Sequence, residues 1–143
     1  MKRILGIDYG SKRIGVAISD PLRIIAQGIE VISNTPAFFD KIKMIAEKYD
    51  VEAIVVGFPY NLKGETGQSA KEVQVFIQEL KAVTNIPIIE WDERFTSAVA
   101  HRTLIDMGVK RKQRQQKSTI DRMAAALILQ SYLDSVVRAS INK

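Results

Sequence analysis

The sequence predicts an α/β fold built on a five-stranded mixed sheet, an antiparallel meander followed by parallel strands, with helices on both faces. Three observations carry that expectation. Apolar β-branched runs at residues 4–7, 14–18 and 24–32 follow one another at hairpin spacing. Two later apolar runs, at 53–57 and 87–91, are separated by segments of helical periodicity, the pattern of buried parallel strands. With 46% apolar residues in 143, and no linker, repeat or low-complexity run, the chain suits one domain and one core, with residues 137–143 as a tail.

The opening hairpin runs from Ile4 to Asp20 around a polar turn of Gly10, Ser11, Lys12 and Arg13. Asp8 is the last polar residue of its first run. A carboxylate at the end of a buried strand stays ionised when a cation or several donors face it. Gly6, Gly10 and Gly15 thin the backbone around it, so that a metal ion or a phosphate could approach closely. The alternative is that Asp8 caps its own turn through an Asx-type bond.

A third strand follows at 23–32, and Asn34-Thr35-Pro36 opens a helix with Pro at its first position and Asp40 near the positive end of the dipole. Phe38, Ile42, Ile45, Ala46 and Tyr49 form its expected buried stripe, while Lys41, Lys43, Glu47 and Lys48 face water. Past the strand ending at Gly57 comes a long loop, residues 58–67, of the kind in which sites are built. A second helix over 69–84 carries Ala70, Val73, Ile77 and Leu80 on one face. The last strand delivers Asp92-Glu93-Arg94 at its far end. A third helix is expected from Thr96 to Met107, stopped by Gly108, and a final one from Ser118. The segment Met123-Ala124-Ala125-Ala126-Leu127-Ile128-Leu129 is apolar nearly all round and reads as buried, packed closely on the sheet through its alanines. The order β-β-β-α-β-α-β-α-α is the ribonuclease H-like order.

The charge is concentrated. Of a net +5, the stretch from Arg102 to Arg122 holds seven Lys or Arg (Arg102, Lys110, Arg111, Lys112, Arg114, Lys117, Arg122) against Asp106 and Asp121. Such a segment points to a polyanion, nucleic acid first, or else serves as a solvated loop that keeps the chain soluble. With no cysteine there are no disulfides or thiolate metal sites. The N-terminus enters a strand directly, and no apolar run approaches the roughly twenty residues of a membrane span. A cytoplasmic location away from membranes is therefore expected.

Asp8, Glu93 and Asp121 are the candidate site, because the first and last strands can deliver their ends to one edge. Clustered carboxylates in a low-dielectric site are tolerated with a divalent cation, and oxygen-only ligands suit Mg²⁺ or Mn²⁺. Each has a simpler reading. Ser118-x-x-Asp121 matches a capping box, Glu93-Arg94 could be a surface ion pair, and His101 sits mid-helix with nothing to orient it as a proton shuttle. Asp92 falls on the other side of the pleat from Glu93. What raises the three acids above these readings is the coincidence of their positions with the topology.

The motifs Leu5-Gly6-Ile7-Asp8-Tyr9-Gly10-Ser11-Lys12-Arg13-Ile14-Gly15-Val16-Ala17, Val56-Gly57-Phe58-Pro59 with Gly64, Trp91-Asp92-Glu93-Arg94-Phe95-Thr96 and Asp121-Arg122-Met123-Ala124-Ala125 resemble, in order, those of the YqgF family, also called RuvX. These are bacterial Holliday junction resolvases and pre-16S rRNA nucleases. The resemblance spans residues 3 to about 134. It implies a ribonuclease H-like fold and metal-dependent phosphodiester cleavage at Asp8, Glu93 and Asp121, most readily in 5′-end maturation of pre-16S rRNA, with resolution of branched DNA as the alternative. Neither Ser118 nor Ala124 supplies the fourth acid of many related nucleases. Expected nucleic-acid contacts are Lys12, Arg13, Arg94, Lys110, Arg111, Lys112, Arg114, Lys117 and Arg122; expected partners are precursor rRNA or branched DNA, ribosomal particles, and a second copy for paired cutting. A reading from another class is a nucleotide-binding module, since Asp8-x-Gly-x-x-x-x-Gly15 also resembles the phosphate hairpin of the actin and sugar-kinase group. That group encloses ATP between two such domains, and Glu93 and Asp121 would then go unexplained. A non-catalytic RNA-binding protein is a third.

Overall fold

A computed structural model describes residues 2–59, 67–92 and 117–141. The elements are β1 (Arg3–Asp8), β2 (Arg13–Ser19), β3 (Ala26–Ser33), α1 (Ala37–Lys48), β4 (Val51–Phe58), α2 (Gln68–Val83), β5 (Ile88–Asp92) and a helix, α3, spanning Lys117–Ile141. The sheet order is β3-β2-β1-β4-β5. β1, β2 and β3 pair antiparallel, while β4 and β5 run parallel to β1. This is the mixed sheet expected from the sequence, and it puts the C-terminal ends of β1, β4 and β5 on one edge.

Alternation along the strands sorts the side chains to two faces. Leu5, Ile7, Ile14, Val16, Ile54, Val56 and Phe58 pack with Phe38 and Ile42 of α1 and with Val73, Phe76, Ile77 and Leu80 of α2. Ile4, Ala17 and Val55 meet Ala125, Ile128, Leu129 and Leu133 of α3 on the opposite face. Phe76 belongs to the buried stripe of α2 although its neighbours at helical spacing did not single it out. It also joins Tyr9, Phe38 and Phe39 in an aromatic cluster with centroid spacings of 4.8–6.1 Å.

Several element ends move. β3 begins at Ala26 rather than 23, because Asp20 folds residues 20–25 into a loop. Its carboxylate accepts the backbone N–H groups of Leu22, Ile24 and Ile25, and Arg23 adopts a positive φ of 58°. α1 begins after Pro36, which already has helical dihedrals. α3 is not buried all round: Ala125, Ile128, Leu129 and Leu133 are buried, but Met123, Ala124, Ala126 and Leu127 are partly exposed. Its periodicity was hidden because small apolar residues occupy both sides. Residues 137–141, expected in the tail, continue this helix. The expected helix at 96–107 and the basic loop fall outside the described residues.

Candidate active site at the sheet edge

Asp8 closes β1 on the α3 face, since Ile4 packs against α3 and a Cβ at Gly6 would lie 2.7 Å from Leu129 Cβ. It pairs in register with Gly15 of β2. On its other side Ile7 pairs with Val56 of β4, which puts Gly57 beside it, and Gly57 in turn pairs with Trp91 of β5. Glycines therefore flank the carboxylate in both neighbouring strands, leaving no side chain from either to fill the space.

The glycines divide their work differently from the sequence expectation. What approaches Gly6 is α3 itself, so its missing side chain serves helix packing rather than a ligand. At Gly10 a Cβ would lie 2.4 Å from the carbonyl oxygen of Arg13, so this glycine closes the β1–β2 turn. Asn34 staples the same turn: its Nδ2 donates to the carbonyl of Gly10 at 2.9 Å and its backbone N–H donates to that of Lys12 at 2.9 Å. Sequence reading missed this role of Asn34. Lys12 is exposed at the turn tip and Arg13 is half-buried at the start of β2, both at the Asp8 edge.

α3 descends against β1. Arg122 stands over Gly28, while Gln130 bonds the N–H of Ala26 at 2.9 Å and the carbonyl of Ile24 at 2.8 Å. β3 runs in the same direction as β1, so passing from residue 122 to 130 is a step away from the edge where β1 ends. Ala125 lies over Gly6, its carbonyl 3.3 Å from where a Cβ would be. Asp121 is one helical turn earlier, about 5.4 Å, and Asp8 is two strand residues on from Gly6, about 6.6 Å. The two backbone positions thus advance to the same edge together. Trp91 on β5 donates its Nε1–H to Ser131 Oγ at 3.2 Å and meets Tyr132 edge-on, tying β5 to the same helix.

Of the other predicted site residues, Glu93, Arg94, Lys110, Arg111, Lys112 and Arg114 lie outside the described residues, and of Lys117 and Asp121 only the backbone is described. Arg122 is exposed beside the α3 N-terminal turn. Among the described residues no three His, Cys, Asp or Glu side chains form a metal-holding group, and no helix is long and apolar enough to cross a membrane.

The RuvX family model, described as Holliday junction resolvase, matches residues 2–135. The chain belongs to the RuvX family. A relative from Listeria monocytogenes, named "Putative pre-16S rRNA nuclease", is 46% identical over 93% of this chain and 98% of its own length. One of the same name from Dictyoglomus turgidum is 43% identical, covering 94% and 95%. Among solved structures, Thermus thermophilus RuvC in complex with a Holliday junction substrate superposes with a TM-score of 0.57 at 16% identity, covering 94% of this chain and 96% of the other. The fowlpox virus Holliday junction resolvase gives 0.53 at 17% identity, with 94% and 99% covered. These likenesses place the RuvX chain in the ribonuclease H-like fold, and its family makes it a nuclease, a hydrolase of phosphodiester bonds.

Proposed function

We propose that this RuvX chain is a divalent-metal-dependent endonuclease of structured RNA, acting in 5′-end maturation of precursor 16S rRNA, with Asp8, Glu93 and Asp121 as its catalytic carboxylates. The observation that carries the reading is Asp8, set between Gly15 and Gly57 at the edge toward which the N-terminal turn of α3 advances. An oxygen-only set reached past glycines fits a small hard cation, and Mg²⁺ or Mn²⁺ would be held there by the three acids. When bound, such an ion supplies an activated water and offsets charge on the reacting phosphodiester. Hydrolysis joins a water oxygen to phosphorus and breaks one ester P–O bond. Lys12 and Arg13, in the turn that Asn34 staples, and Arg122 at the head of α3 would hold the flanking phosphates and set the strand over Asp8. The basic residues Arg94, Lys110, Arg111, Lys112, Arg114 and Lys117 would extend that contact. The names of the Listeria and Dictyoglomus relatives favour rRNA. The family description favours branched DNA as a second substrate, cut in pairs by a dimer.

The test pairs two measurements on Asp8→Asn. Cleavage of precursor rRNA and of four-way junction DNA in Mn²⁺ should fall at least a hundredfold, while affinity for the same labelled substrates in EDTA stays unchanged or tightens. Full activity in Asp8→Asn, or cleavage by the unmutated protein in EDTA, would overturn the reading.

A further inference from the structure

We infer that Gly28, on the edge strand β3 and two strands away from Asp8, is a positioning residue that sets the height of the α3 N-terminus over the sheet and thereby places Asp121. The inference rests on the metal-site reading of Asp121. A Cβ at Gly28 would lie 2.6 Å from the carbonyl oxygen of Arg122, 3.0 Å from its carbonyl carbon and 3.0 Å from its Cβ. Two of those atoms are backbone, so they cannot swing aside as a flexible side chain would. The helix itself must lift. Arg122 directly follows Asp121, so the displaced peptide, Arg122–Met123, begins one residue after the candidate ligand.

The row in which Gly28 stands sharpens the argument. Gly28 pairs with Ala17, Ala17 with Gly6, Gly6 with Val55, and Val55 with Ile89, one residue from each strand and all on the α3 face. Glycines at Gly28 and Gly6 let α3 approach the sheet closely over β3 and β1, while Val55 and Ile89 carry the larger side chains toward β5. A β-bulge between Val16 and Ala17 of the β2–β3 pairing sits next to this contact and bends the strand locally. Only glycine lets the Arg122 peptide lie against β3. A ligand placed on an ion tolerates little displacement, since its oxygen must stay within a few tenths of an ångström of the bonding distance.

Gly28→Ala is therefore expected to weaken Mn²⁺ binding, measured by calorimetry with the metal alone, by about tenfold. It should lower kcat by a larger factor than it raises KM for the nucleic acid, because Lys12 and Arg13 stay in the β1–β2 turn and only Arg122 moves with the helix. Ala126→Val crowds the same crevice, which is lined by Gly28, Arg122, Met123 and Ala126, one turn further along α3. It should shift Mn²⁺ affinity in the same direction by a smaller factor, and it decides the question if Gly28→Ala does not fold. Asp121→Asn is the reference. Loss of Mn²⁺ affinity in Asp121→Asn together with unchanged affinity in folded Gly28→Ala or Ala126→Val overturns the positioning role and leaves the metal site standing. Unchanged Mn²⁺ affinity in Asp121→Asn overturns the metal-site reading itself, and this inference with it.

Discussion

On the α1/α2 face, Phe38, Phe58, Phe76 and a set of Leu, Ile and Val side chains fill the space between helices and sheet. On the α3 face, Gly28, Ala17 and Gly6 stand in one row, and α3 comes close against the two glycines. The first face gains its stability from buried apolar area, which tolerates small shifts of a helix along the sheet. The second trades apolar area for a fixed backbone-to-backbone distance. Under the proposed metal site, that exchange would fix the α3 backbone near Asp121 against the strand end that carries Asp8. On the proposed reading of the site, the α3 face would set the site's geometry while both faces contribute buried core.

The contrast breaks first, and most visibly, at Phe38. It is 1% exposed and packs against both Phe39 and Phe76, so Phe38→Ala should cost about 3–5 kcal/mol in urea denaturation. Mn²⁺ affinity of the folded fraction should not change. An effect on metal binding as large as that on stability would show that the two faces are not separable.

Gly6→Ala is the matching change on the other face. The new methyl meets Leu129 Cβ at 2.7 Å, and overpacking of this kind should cost about 1–3 kcal/mol. The same denaturation should show a smaller midpoint shift than Phe38→Ala, with an unchanged m-value. A neutral or stabilising outcome would mean that α3 does not lie on Gly6.

Trp91→Phe removes the indole N–H that reaches Ser131 while keeping an aromatic ring against Tyr132. A loss of about 1 kcal/mol is expected from this hydrogen bond. Combining it with Ser131→Ala in a double-mutant cycle isolates the term; additive losses would remove the bond from the account.

The smallest effect depends on pH. The Asp20 carboxyl is held below its ordinary value, first by the hydrogen bond from Ile25 N–H, with further bonds from Ile24 and Leu22 outweighing its desolvation. A lowered folded pKa means that the carboxylate's contribution is complete above the unfolded value, near 3.9, and is lost as pH falls through the folded one. The stability gap between the unmutated protein and Asp20→Ala should therefore be flat from neutral pH to about 5 and shrink below about 4. A gap unchanged at pH 3 would detach the loop from this carboxylate. The core on the α1/α2 face consists of apolar side chains and offers no such pH dependence.

Much of this molecule is local and so was legible along the chain. Alternation at 4–7 and 14–18, helical spacing of Phe38 with Ile42 and of Val73 with Ile77 and Leu80, and the Asp8-Tyr9-Gly10 turn each depend on neighbours within a few residues. Physics of that range is written in the sequence. The family resemblance was legible for the same reason, because its motifs are short and continuous. What the chain could not announce is what meets what across it. Gly6 looked like an opening for a ligand until Leu129 closed on it, and Gly28 looked like nothing in particular, although a glycine inside a strand is the signal of a close backbone approach. Asn34 reaches Gly10 across 24 residues, and Gln130 reaches Ile24 across 106. The two exposures of α3 could not be told apart because Ala and Leu occupy both sides, and only contact with the sheet decides which side is buried. Sequence by itself therefore determined the described elements and their order, and named the acids to test. The tertiary structure decided which glycine admits a helix, which flanks a carboxylate and which closes a turn, because a missing side chain acquires its meaning from the atom that takes its place.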